Sequence, residues 1–327
     1  MTQPRTGVLL LQMGGPRNLD EVQSYICNLF QDPYLVQLPA PISWLRKPLA
    51  HWVAKRRAPV VVEQYKKIGG SSPNNAITIE QAGLLQSALS DSGDFRCYAA
   101  MAYTPPTVAD ALRQSISDGC ERWIALPMFP QYSRASTGAI FADLDQCMQD
   151  QGADSQACTR IERWGSRPDY LDAVTAMTLA TLAKARELSA ESPHLVISAH
   201  GLPVSYVKAG DPYVEEIEDC VAGLRARLPQ DLATTLAYQS RATPTSWVKP
   251  STVETLRKLG VDGVKNIVVL PISFVNDHIE TLFEIDQELR EEAKLKGVEH
   301  YTRVPVFNTD ASLIAILKSI VLEMKSR

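Results

Sequence analysis

The sequence has no apolar run long enough to cross a bilayer. The longest, Gly7–Met13 and Ile267–Val275, fall far short of the roughly 20 residues a spanning helix needs. It has no excess of either charge: 33 Lys and Arg stand against 37 Asp and Glu, a net charge of -4 that gives no general attraction to nucleic acid. Six cysteines are present, but no C-x-x-C pair and no zinc-finger spacing, so they are read as reduced structural thiols and no cysteine-held iron-sulfur cluster is expected. Neither G-x-G-x-x-G nor G-x-x-x-x-G-K-[ST] occurs, which leaves nucleotide binding without support. The absence of H-E-x-x-H and G-x-S-x-G removes the usual hydrolase signatures. The opening Met1-Thr2-Gln3-Pro4-Arg5 follows neither a secretory nor a transit pattern, and a cytoplasmic protein is expected.

What is present is an alternation of short apolar runs with longer stretches of helical period, the pattern of βαβ units on parallel sheets. Strands are predicted at Gly7–Gln12, Arg96–Ala102, Trp123–Met128, Leu195–Ala199, Thr235–Tyr238 and Asn266–Phe274. Helices are predicted at Leu19–Leu29, Ile79–Leu89, Val108–Asp118, Tyr170–Leu188, Val214–Leu228, Ser251–Leu259, Ile279–Leu295 and Ala311–Lys325.

The strands fall into two groups of three, and the groups resemble each other. Asp118-Gly119 precedes Leu126-Pro127 by the same eight residues that separate Asp262-Gly263 from Leu270-Pro271. With Ala102-Tyr103 laid over Ala237-Tyr238, the second half carries about nine extra residues, assigned to the loop Arg241–Pro250. The expected fold class is therefore α/β, two similar Rossmann-like lobes with parallel sheets and a cleft between them. Residues 1–165 form the first lobe and 166–327 the second.

Open parallel sheets gather ligands at the carboxyl ends of their strands. The unusual polar residues sit there: Met13-Gly14-Gly15 after the first strand, Tyr132 after the third, His200 after the fourth, and Asn276-Asp277-His278-Ile279-Glu280 after the sixth. If Asp277–Leu289 is α-helical, Asp277, Glu280, Glu284 and Glu288 share an arc of roughly 80°, with Leu282, Ile285 and Leu289 beside them. A carboxylate face of this kind is most often simply solvated. Starting at a cleft, its members raise one another's pKa and attract a divalent cation. Histidine plus carboxylate without cysteine suits a transiently held first-row metal such as Fe2+ better than a fixed structural zinc.

These motifs identify a resemblance. Through "LLLQMGGP", "LFQDPYLVQLP", "KRRAPVVVEQYKKIGGSSP", "PMFPQYSRASTG", "SAHGLPVSYVKAGDPY" and "PISFVNDHIETLFEID" the chain resembles the ferrochelatases over nearly its whole length, most specifically the protoporphyrin-type bacterial members. The resemblance implies a chelatase-like fold, a final helix packed back on the first lobe, and insertion of Fe2+ into protoporphyrin IX in the last step of haem synthesis. It implies His200 and Glu280 as the catalytic pair and metal contacts, with His278 as their motif neighbour. Asp277, Glu284 and Glu288 become an acidic relay or route of metal uptake. Met13, Arg56, Arg57, Tyr65, Tyr103, Tyr132, Trp164, Trp247 and Phe274 become porphyrin contacts. Ala102 departs from some relatives that have arginine, so one propionate contact is either missing or supplied elsewhere. Gly201 stands where many relatives have serine, with little consequence expected.

The chemistry asks for such residues. Two pyrrole protons must leave as iron enters, and an imidazole of unperturbed pKa ~6.5 accepts a proton near neutral pH. Iron and porphyrin are substrates, and no permanently bound cofactor is expected. The resemblance of "QMGGP" to the protoporphyrin-using members, which have methionine at the position of Met13, implies protoporphyrin over coproporphyrin. Segment 35–57, which mixes Leu, Trp and Val with Arg46, Lys47, Lys55, Arg56 and Arg57, reads either as a helix covering its own core or as a lip on an anionic membrane. Cobalt or nickel chelation of a more acidic tetrapyrrole, and haem or porphyrin carriage without turnover, are the competing readings. The carrier has no use for His200, Glu280 and the acidic ladder together.

Overall fold

The computed structural model describes residues 4–36, 38, 40–240 and 245–325, and the chain divides into two compact units. The first comprises residues 1–162 and 308–327. Its sheet is built from β1 (Thr6–Gln12), β2 (Phe95–Met101), β3 (Arg122–Pro127) and β4 (Cys158–Arg160), all parallel, in the order β2-β1-β3-β4. The continuous apolar run Val8–Leu11 is fully buried, as a strand covered on both faces must be. Around it lie α1 (Val22–Gln31), α2 (Arg46–Lys66), α3 (Asn74–Leu89), α4 (Val108–Ser117) and α5 (Ala139–Asp150). A capping box starts α4: Thr107 Oγ1 accepts from Asp110 N while the Asp110 carboxylate accepts from Thr107 N.

The second unit, residues 163–307, repeats the plan. Strands β5 (His194–His200), β6 (Thr234–Gln239), β7 (Asn266–Pro271) and β8 (His300–Arg303) are parallel in the order β6-β5-β7-β8. The unit also holds α6 (Pro168–Leu188), α7 (Val204–Lys208), α8 (Tyr213–Arg225), α9 (Thr252–Val261) and α10 (Arg290–Lys294).

The two sheets have the same strand order, so the repeat is real, but its alignment differs from the sequence-based one. Leu11 lies opposite Pro127 and Ala100, as Ser198 lies opposite Pro271 and Ala237. Met101 therefore matches Tyr238, and Tyr103 has no tyrosine counterpart. Met101 N donates to Pro106 O as Tyr238 N donates to Pro250 O, and Thr107 and Ser251 then cap their helices. From Met101 to Pro106 is five residues, and from Tyr238 to Pro250 twelve, so the insertion is seven residues, not nine. Residues 241–244 of this loop lie outside the described residues.

Other boundaries moved for local reasons. The strand expected to run to Phe274 stops at Pro271, where the ladder passes to Ile272 N donating to Ser198 O. The short edge strands β4 and β8 and the helix α5 were not anticipated. Segment 35–57, whose residues 37 and 39 fall outside the described ones, contributes the first half of α2.

The expected α-helix Ile279–Leu295 is instead π-helical over Glu280–Leu289, followed by α10. Bonding from i to i+5 displaces carbonyls, and side chains collect two of them: Gln287 Nε2 donates to Leu282 O at 3.1 Å and Tyr301 OH to Ile285 O at 2.9 Å. Thr281, Phe283, Ile285 and Leu289 become the buried set, while Leu282 stays partly exposed.

The last helix, α11 (Ala311–Lys325), belongs to the first unit and not to a continuous second lobe. Its apolar stripe, Leu313, Ile314, Leu317, Ile320 and Val321, is buried, and it packs against α3. Lys325 Nζ donates to Ser92 O and lies 5.4 Å from the centre of the Phe95 ring.

Candidate functional site

The carboxyl end of the second sheet assembles a compact polar centre. His200 is the last residue of β5, and register places it where Met13 stands after β1. Its backbone N–H donates to Ser273 Oγ at 3.1 Å, and Tyr213 OH pairs with the same hydroxyl at 2.8 Å. The backbone at this strand end is therefore held independently of the ring.

The ring's Nδ1 lies 2.7 Å from Glu280 Oε2, at the start of the π-helical segment. Ser240, directly after β6, lies 3.1 Å from Glu280 Oε2 and 2.6 Å from Glu284 Oε2. Ser240 adopts φ 61, a left-handed conformation uncommon for a residue with a side chain. Glu288 continues the row at an exposed position.

Electrostatics separates these groups. Burial alone lowers the His200 pKa, but the charge and hydrogen bond of Glu280 outweigh it and raise the imidazole above its ordinary value. For Glu280 burial acts upward, yet His200, His278 and the Ser240 hydroxyl hold the carboxyl below the usual range. Glu284 moves the other way: burial and the negative charge of Glu280 push it up, so it keeps its proton at pH where Glu280 is ionised. The two neighbouring carboxylates thus divide into a charged and a neutral one.

Hydrogen counting agrees. The Ser240 hydroxyl has one hydrogen and two carboxyl neighbours, so a proton on Glu284 lets Glu284 donate to Ser240 while Ser240 donates to Glu280. Ionised Glu280 only accepts, so in neutral His200 the hydrogen sits on Nδ1 and the lone pair on Nε2.

Aromatic groups frame the pair. Phe274 packs edge-on to His278 at 4.5 Å and to His200 at 6.2 Å between ring centres. His278 Nδ1 is buried without a hydrogen-bond partner, and burial depresses that imidazole's pKa. Asp277 accepts from Thr281 Oγ1 at 2.8 Å and pairs with Arg303 Nη1 at 3.1 Å. The described part of the insertion folds back on the loop after β5: Val204 N donates to Ser246 O, Val248 N to Leu202 O, and Pro203 bridges Trp247. This brings Trp247 beside Gly201. A Cβ on Gly201 would stand 2.6 Å from Gln239 O, 2.9 Å from Ser240 O and 3.2 Å from Trp247 Cε3, so serine at this position is not a neutral change in this chain.

Trp164, also of the second unit, is buried with its ring edge-on to Tyr170 at 5.2 Å. Within the first unit, Met13 O accepts from Tyr103 N, and Tyr103 OH donates to Asp32 Oδ2 at 2.6 Å. Tyr65 is buried in α2, and Tyr132 is half-buried. Arg56 and Arg57 are exposed, their guanidinium groups stacked on Trp52 at 5.3 Å and Phe30 at 5.6 Å. Sequence reasoning missed Ser240, Ser273, Tyr213 and Arg303. Ser240 was within reach of the strand-end rule, since it follows β6 as His200 ends β5. Among the described residues no three His, Cys, Asp or Glu side chains converge to hold a metal ion.

The family model described as "Ferrochelatase" matches residues 5–325. Among curated proteins, "Ferrochelatase" of Synechococcus elongatus is 43% identical over 321 residues, covering 97% of this chain and 82% of that protein. "Ferrochelatase" of Nostoc punctiforme is 41% identical over 322 residues, covering 98% and 82%. Among solved structures, SirB from Bacillus subtilis with Fe3+ superposes with a TM-score of 0.54 over 98% of this chain and 95% of that one. At 10% identity, that likeness shows the chelatase fold alone.

Proposed function

The chain belongs to the ferrochelatase family, and from that premise we propose that His200 is the base that strips the pyrrole protons of protoporphyrin IX as iron enters. The activity is insertion of Fe2+ into a porphyrin, a lyase reaction that yields haem and releases two protons. The observation that carries the residue assignment is the 2.7 Å contact between His200 Nδ1 and Glu280. It directs the basic Nε2 away from the carboxylate and leaves it to take a pyrrole proton. The imidazolium that results is stabilised by the negative Glu280 beside it. Ser240 and Glu284 continue the hydrogen-bonded row, and Glu288 gives it an exposed end for proton exit or iron uptake.

Iron is a substrate in this reading. His200 and Glu280 give it at most two protein contacts, and the macrocycle nitrogens complete its binding. Phe274 and Trp247 have the dispersion and stacking character that holds a flat apolar ring, and the resemblance of the Met13 motif to the protoporphyrin-using members supports protoporphyrin over coproporphyrin. No iron-sulfur cluster is proposed, because the six cysteines have no C-x-x-C pair or other cluster spacing.

A second surface concerns delivery. Trp44 is 74% and Trp52 58% exposed, with Ile42 and Leu49 also exposed and Lys47, Lys55 and Arg56 among them. We read this stretch as the part that touches an anionic bilayer, where an apolar porphyrin is collected. The protein then works peripherally, on the cytoplasmic face. No described helix is long and apolar enough to cross a membrane.

Anaerobic turnover with Fe2+ and either protoporphyrin or coproporphyrin, followed by the Soret shift, tests the reading. Wild type is expected to prefer protoporphyrin. His200→Ala is expected to bind porphyrin and insert no iron, and undiminished insertion would remove His200 from the mechanism.

A further inference from the structure

We propose that Arg303 is a positioning residue for iron insertion, acting from β8 to hold the π-helical segment in the register that sets Glu280 against His200. This rests on the reading of His200 and Glu280 given above. Arg303 ends β8, a strand fixed by parallel pairing, with Val269 of β7 opposite it. Its Nε donates to both oxygens of Asp286, at 2.9 and 3.0 Å, and its Nη1 forms an ion pair with Asp277 Oδ1 at 3.1 Å. Asp277 lies three residues before Glu280 and Asp286 six after it. One guanidinium thus ties down the chain on both sides of the catalytic carboxylate.

The anchors are partly dried: the Arg303 side chain is 12% exposed, those of Asp277 and Asp286 17% and 25%. The hydrogen bonds from Nε to Asp286 are charge-assisted and directional, while Nη1 holds Asp277 by charge at ion-pair distance without a hydrogen bond; a rigid planar guanidinium can address both carboxylates at once where an ammonium cannot. The same strand adds Tyr301 OH, which donates to Ile285 O inside the segment. Arg290 closes the arrangement, donating from Nε to Asp286 O at 2.7 Å and from Nη1 to Tyr301 O at 2.8 Å.

The π-helical register needs such support. Ten residues bonded from i to i+5 are exceptional, and reverting to i to i+4 would turn Glu280 relative to Asp286. A hydrogen bond of 2.7 Å to His200 tolerates little of that rotation.

Arg303→Gln, Arg303→Lys and Asp286→Asn are compared with wild type and His200→Ala for kcat, KM for porphyrin, KM for Fe2+ and thermal midpoint. Arg303→Gln is expected to lose kcat by roughly 100-fold, the cost of a misplaced catalytic group, at unchanged porphyrin KM. Arg303→Lys, with charge but no fork, and Asp286→Asn are expected to fall between it and wild type. Wild-type kcat in Arg303→Gln and Asp286→Asn beside an inactive His200→Ala overturns the proposal and leaves the base assignment standing. A rise confined to KM overturns it too. Active His200→Ala would instead remove the reading on which the proposal rests. If Arg303→Gln does not fold, the other two variants decide: lowered kcat at an unchanged thermal midpoint supports the proposal, and wild-type kcat in both refutes it.

Discussion

Replacing Glu280 by glutamine removes a charge while leaving an oxygen able to accept from His200 Nδ1 and Ser240. Geometry is retained and electrostatics tested. A hydrogen bond between charged partners contributes about 1.5–3 kcal/mol. Here the His200 side chain is 38% and the Glu280 side chain 24% exposed, so solvent screening favours the lower figure, about 1.5 kcal/mol. If that energy stabilises the imidazolium formed as the pyrrole proton is taken, kcat at neutral pH falls roughly tenfold in Glu280→Gln. The pH profile carries the sharper signature. His200 acts as a base only when neutral, so wild-type activity falls as pH drops below its raised pKa, and the acid limb should move to lower pH in the variant.

Folding stability gives an independent check. The raised His200 pKa contributes stability that is present below 6.5 and lost as pH rises through the folded value. The lowered Glu280 pKa contributes stability present above 4.5 and lost as pH falls through its folded value. The gap between wild type and Glu280→Gln should therefore be widest between these two pH values and narrow on either side. Denaturant unfolding across pH measures it. An unmoved acid limb together with a pH-independent gap would refute the coupling of the two groups.

Three further outcomes are expected. Ser240→Gly should be more stable to denaturant than Ser240→Ala by about 1 kcal/mol, because glycine relieves the left-handed backbone, while both lose the link from Glu280 to Glu284 and with it part of kcat. Gly201→Ser should cost about 1–3 kcal/mol in thermal or denaturant unfolding, since its Cβ meets the carbonyls of Gln239 and Ser240; an unchanged midpoint would show that β6 moves freely. Trp44→Ser with Trp52→Ser should abolish flotation with anionic vesicles while leaving turnover in detergent intact, and undiminished flotation would place the membrane contact elsewhere.

Much was legible because hydrophobic periodicity and turn chemistry are local. Each of the six expected strands formed with its ends within a few residues of expectation, and His200 ended its strand as the apolar run before it indicated. The two halves announced themselves through Asp-Gly and Leu-Pro at equal spacing. The dipeptide Ala-Tyr misaligned them, because equivalence of strand ends is defined by hydrogen-bond register, which two matching letters do not specify. The edge strands β4 and β8, three and four residues long, carry too short a pattern to stand out.

By itself the sequence determined the α/β alternation, the duplicated plan, and a histidine and carboxylate row placed after strands. Tertiary structure decided what those carboxylates are. The helical periodicity of Asp277–Leu289 looks α-helical in one dimension, but the hydroxyl of Tyr301 and the guanidinium of Arg303 come into reach only after folding, and with them the segment is π-helical. Ser240 lies 40 residues from Glu280 in sequence and 3.1 Å from it in space. Proximity of that kind, together with burial, makes Glu280 an anion and leaves Glu284 its proton. A pKa is set by the groups that surround it, and here those groups come from three strand ends and one helix brought together by the fold.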